Sequence, residues 1–74
     1  MEHLDKRFGV IAIEKGFINL EQLLEALKVQ ITEELEQDKH RLIGAILVEK
    51  GFMNISQVDE VLKSMGIPGP RTGT

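Results

Sequence analysis

A shift of 35 residues lays this chain on itself, and that internal duplication constrains the fold more than any other feature. The shift pairs Gly9 with Gly44, Ile11 with Ile46, Glu14-Lys15-Gly16-Phe17 with Glu49-Lys50-Gly51-Phe52, and Asn19 with Asn54. It continues through Gln22 with Gln57, Glu25 with Glu60, and Leu27-Lys28 with Leu62-Lys63. Over the 20 positions from Gly9 to Lys28, 11 are identical, and most of the rest exchange one apolar residue for another. A unit of about 30 residues is too small to bury its apolar face alone.

Each copy reads as a helix, a tight turn and a second helix. In the first, Leu4, Phe8, Ile11 and Ala12 fall at helical spacing, as do Leu20, Leu23, Leu24, Leu27, Ile31 and Leu35. In the second the sets are Leu42, Ile43, Ile46 and Leu47, then Ile55, Val58, Val61, Leu62 and Met65. No stretch alternates with period two. The spacing predicts an all-α fold of four helices in two helix-turn-helix hairpins, over residues 4-15, 20-36, 40-50 and 55-65, with Asp38 capping the third. Residues 1-65 form one domain, with repeat one at 4-31 and repeat two at 39-65. The stretch 66-74, which holds both prolines, reads as a flexible tail.

Capping rules account for the turn segments residue by residue. Gly16 and Gly51 suit the left-handed position past a helix end, with Phe17 and Phe52 folding back on the cap. Asn19 and Asn54 are N-caps, and Gln22 and Gln57 three residues on complete capping boxes. Ile18 and Met53 stand where a hydrophobic staple would meet Leu23 and Val58. Gly9 and Gly44 escape these rules. Both lie inside a helix, where glycine costs about 1 kcal/mol relative to alanine, so a neighbouring helix or a ligand must approach the backbone there.

Composition narrows the function. The 74 residues hold no cysteine, which removes disulfides, a thiolate nucleophile and cysteine-based zinc sites. A net charge of -3 argues against a protein that coats DNA or RNA. No run is long enough to insert in a membrane, and a cytoplasmic setting is expected. His3 and His40 have no carboxylate spacing that suggests a metal site, and no nucleophile-base pair is evident, so the expectation is a non-enzyme without a cofactor. Glu33, Glu34 and Glu36, with Asp38, make an acidic cluster: a solvated face, or a docking surface for a basic partner.

Arg7-Phe8-Gly9, Ala12-Ile13, Gly16-Phe17-Ile18, Leu23, Leu27 and Gln30 resemble the Arg-Leu-Gly motif of MshEN-type domains. These are the N-terminal domains of type II secretion and type IV pilus assembly ATPases, which are built of such motifs in tandem. The resemblance covers residues 7 to 65 and implies a small signalling or adaptor module that relays to a protein partner. It also implies cyclic di-GMP as a ligand. An Arg guanidinium matches the O6 and N7 acceptors of guanine, and a following Gly lets a nucleotide lie close to the backbone. On that basis Arg7, Phe8, Gly9 and Gln30 are the candidate ligand-binding residues. The second copy is degenerate, since Leu42 stands at the position of Arg7 and Met65 at that of Gln30. Gly44 survives, and Arg41 is one residue early, so both join the candidate set. A homodimer bringing together two first copies would restore two intact motifs. The alternative is a protein-protein interaction module of secretion or pilus machinery that has lost the nucleotide.

Overall fold

A computed structural model describes residues 3–66, with side chains described from residue 6 onward. It contains four helices and, among the described residues, no strand: α1 (His3–Glu14), α2 (Leu20–Gln37), α3 (Ile43–Glu49) and α4 (Ile55–Ser64). The tail expected at 66-74 lies, from residue 67 on, outside the described residues.

The two turns fold identically because their sequences satisfy the same backbone groups. The N–H of Gly16 donates to the Ile13 carbonyl at 2.9 Å and that of Phe17 to the Ala12 carbonyl at 3.0 Å. Gly51 and Phe52 repeat this on Val48 and Leu47 at 3.0 and 2.9 Å. Both glycines stand at φ +81, the left-handed region that such a cap requires. Asn19 Oδ1 then accepts from the Gln22 N–H at 2.8 Å, while Gln22 Oε1 accepts from the Asn19 N–H at 3.0 Å. Asn54 and Gln57 reproduce both bonds at the same distances.

The hairpins interlock. α3 packs against α1 and α2, and α1 packs against α3 and α4, so each hairpin's first helix meets both helices of the other. Two ion pairs record this arrangement: Lys15 to Glu60 at 3.2 Å and Lys50 to Glu25 at 2.8 Å. Under the 35-residue shift each pair is the other with its partners exchanged, the signature of an approximate twofold between the repeats. At the centre lies α3, whose Ile43, Ile46 and Leu47 are fully buried. Phe8, Ala12, Ile18, Leu23, Ala26, Met53 and Val61 complete the core.

Two expectations need correction. The third helix starts at Ile43 and not near residue 40, and Asp38 does not cap it. Asp38 instead closes α2 at φ 55, its N–H and that of Lys39 both donating to the Glu33 carbonyl. Asn and Asp tolerate this conformation better than most side chains, which suits a helix end without glycine. Leu42 occupies the N-cap of α3 with no side-chain cap bond. The apolar residues at helical spacing do not all face inward. In α2, Leu23 is buried, whereas Leu20, Leu24, Ile31 and Leu35 are exposed, as are Leu42 and Ile55 in the second copy.

Candidate functional site

Helical glycines predict close approaches, and both are found. A Cβ on Gly9 would lie 2.7 Å from both Leu23 methyls, so α2 covers the bare backbone of α1 at this point. On Gly44 a Cβ would lie 3.2 Å from Phe8 Cζ and 3.6 Å from Val58 Cγ1. Val58 is the repeat equivalent of Leu23, so the same contact within each hairpin recurs, and Phe8 adds a second contact between hairpins. Packing thus supplies the close neighbour that each glycine implies.

Phe8 is only 4% exposed and works as a core residue. With Gly44, Leu42, Val58 and Leu62 it lines a cavity of about 110 Å³. Small-molecule sites usually measure about 300–1,000 Å³, so this hollow is too small for a dinucleotide. A broader groove of about 730 Å³ runs along α2, lined by Leu24, Lys28, Thr32 and Lys50 among others. None of Arg7, Phe8, Gly9 and Gln30 lines it.

The structure brings Gln30 and Arg41 together, which the sequence alone did not suggest. Gln30 is 3% exposed, and its Nε2 donates to the Arg41 carbonyl at 2.8 Å. The Arg41 guanidinium grips Glu33 through two hydrogen bonds, Nε to Oε1 at 2.9 Å and Nη2 to Oε2 at 2.6 Å. Its Nη2 also meets Glu49 Oε1 at 3.0 Å. Residue 41 is therefore held by main chain and side chain at once, which fixes the connection from α2 to α3. The hydrogen bond from Arg41 holds the Glu33 carboxyl below its ordinary 4.5, outweighing partial burial, with the charges of Arg41 and Lys39 assisting. Reciprocally, the hydrogen bonds to Glu33 and then Glu49 raise Arg41 above its already high value.

The remaining candidates disperse. Arg7 is exposed on α1. The acidic cluster divides: Glu33 belongs to the Arg41 clamp, Glu34 Oε2 pairs with His40 Nδ1 at 2.8 Å, and Glu36 is exposed. Sequence reasoning missed Asp59, a buried acid on α4 that pairs with Lys63 at 3.3 Å. Its separation of four residues from Lys63 was the available signal. It stands where the first repeat has Leu24. Among the described residues no group of three or more His, Asp or Glu is placed to hold a metal, and no helix is long and apolar enough to cross a membrane. No family model, no curated protein and no solved structure matches the chain.

Proposed function

We propose that this chain is a non-catalytic protein-interaction module, an adaptor of two helical hairpins that works in the cytoplasm and engages a protein partner through α2. The observation that carries this reading is how the polar candidates are used. Gln30 is spent on the Arg41 carbonyl, Arg41 on Glu33 and Glu49, and the Gly9 backbone is covered by Leu23. The same helix that supplies Gln30 and Glu33 leaves four large apolar side chains exposed. The largest apolar patch on a small domain is often an interaction site. The resemblance of the first repeat to MshEN domains points to partners of the secretion or pilus-assembly kind.

The rival reading keeps cyclic di-GMP as a ligand, and its support is Arg7, an exposed guanidinium at the intact motif. Calorimetry with the dinucleotide at tens of micromolar, on wild type and on Arg7→Ala, decides between them. The adaptor reading expects no heat from either protein. Heat from wild type that disappears in Arg7→Ala would overturn it.

A further inference from the structure

The exposed apolar residues of α2 are ordered along the helix. Leu20, Leu24, Ile31 and Leu35 are 59%, 54%, 48% and 81% exposed. At 100° per residue they fall within about 60° of one another, in a stripe about 22 Å long. Leu23, Ala26 and Gln30, which face the core, lie on a different side of the helix. The spacing of the stripe, four residues, then seven, then four, reads the same in both directions.

From this we infer that the stripe is covered by α2 of a second copy of the chain, running antiparallel. The inference rests on the interaction-module reading and names the partner. A palindromic stripe is self-complementary under a twofold axis, which is what an isologous interface requires. Antiparallel pairing sets Leu20 against Leu35 of the second copy and Leu24 against its Ile31, with Leu27 and Lys28 at the axis. A partner of unrelated sequence would demand no such symmetry.

Charge tilts the same way. Glu33, Glu34 and Glu36 crowd the C-terminal end of α2, with Glu21 in its first turn and Glu25 one turn further on. Parallel pairing would set each of these carboxylates against its own copy, whereas antiparallel pairing sets Glu25, Glu33 and Glu36 against Gln30, Gln22 and Asn19 of the second copy and leaves Glu21 against Glu34 as the acidic pair. The stripe amounts to nearly two and a half fully exposed side chains. At roughly 120 Å² for each fully exposed side chain, that is an apolar centre of roughly 300 Å² per copy. A stable interface buries about 800 Å² per partner, so this apolar centre with Glu21, Lys28 and Thr32 as rim makes a small, reversible dimer.

Sedimentation from about 10 µM to about 1 mM should show a monomer-dimer equilibrium, with Leu24→Glu plus Ile31→Glu weakening it more than tenfold at unchanged helical circular dichroism. Leu35→Glu, at the most exposed position, provides a second variant with little prospect of disturbing the fold. The orientation is read by disulfide trapping, since the chain has no cysteine of its own. A mixture of Leu20→Cys and Leu35→Cys chains should crosslink to each other in preference to themselves. Monomer throughout the concentration range, a dimer indifferent to the glutamates, or Leu20→Cys chains that crosslink chiefly to one another would each overturn the pairing. Arg7 lies on α1, so dinucleotide binding there would refute the adaptor reading while leaving the sedimentation result to stand separately.

Discussion

Replacing Gln30 by methionine separates a residue that builds the fold from one that waits for a ligand. Methionine has similar length and suits the buried position, but it removes the donor that meets the Arg41 carbonyl at 2.8 Å. Leaving a buried acceptor without its partner costs about 1–3 kcal/mol, and the part-buried setting and the gain from burying a thioether put the expected loss at about 1–2 kcal/mol. A domain of this size has a total stability of about 3–10 kcal/mol, and each kcal/mol moves its melting point by about 4–8 °C. Gln30→Met should therefore melt about 5–15 °C below wild type in a reversible thermal scan followed by circular dichroism. Gln30→Glu should be worse still at neutral pH, because it turns an acceptor toward an acceptor and buries a charge. A melting point for Gln30→Met within about 2 °C of wild type would refute the assignment of this side chain to the α2–α3 connection.

The two helical glycines should respond differently. Gly9→Ala drives a methyl to 2.7 Å from both Leu23 methyls and should destabilise by about 1–2 kcal/mol even after the gain in helix propensity. Gly44→Ala, whose nearest contact is Phe8 Cζ at 3.2 Å, should stay within about 1 kcal/mol of wild type. Urea midpoints in the opposite order would contradict the packing account. Asn19→Ala and Asn54→Ala each remove the same 2.8 Å cap bond and should cost about 1 kcal/mol apiece, so unequal chemical-denaturation losses would mean that the shared geometry does not carry shared energy. Because Arg41 holds Glu33 below 4.5 in the folded chain, its contribution is present above the unfolded value and is lost as pH falls through the lowered one. The melting-point difference between wild type and Glu33→Gln should shrink on acidification below about pH 4.5, and a gap that widens there would refute the sign.

What the sequence made legible was local. Gly16, Asn19 and Gln22, with their counterparts Gly51, Asn54 and Gln57, could be read position by position because capping joins residues only a few places apart. Gly9 and Gly44 announced a close neighbour without naming it, since Leu23 and Phe8 reach them only through tertiary packing. The candidate site was least legible for the same reason. Gln30 and Arg41 are 11 residues apart, and nothing in helical periodicity says that one side chain will meet the other's carbonyl. Periodicity also could not divide the apolar set of α2, because Leu23 and Leu24 fit the same 3.6-residue pattern while only Leu23 faces the core.

The divergence between the repeats locates what is particular to this chain. Where the copies agree, at the caps, the glycines and the exchanged ion pairs of Lys15 and Lys50, the residues serve the fold in both halves. Where they differ, the first copy is the longer. Its second helix runs 18 residues against 10 in α4, and the added turns carry Ile31, Glu33 and Leu35. Leu24 in the exposed stripe corresponds to Asp59, a buried acid in the other copy. A twofold between identical hairpins would need neither the extension nor the stripe. Glu33 helps to pin the connection that the longer helix makes necessary, whereas Ile31 and Leu35 add apolar surface that the chain itself does not cover. A single leucine at 81% exposure would be ordinary, but Leu35 continues the line of Leu20, Leu24 and Ile31, so the extension of α2 is the part of the chain whose apolar surface the proposed self-association would use.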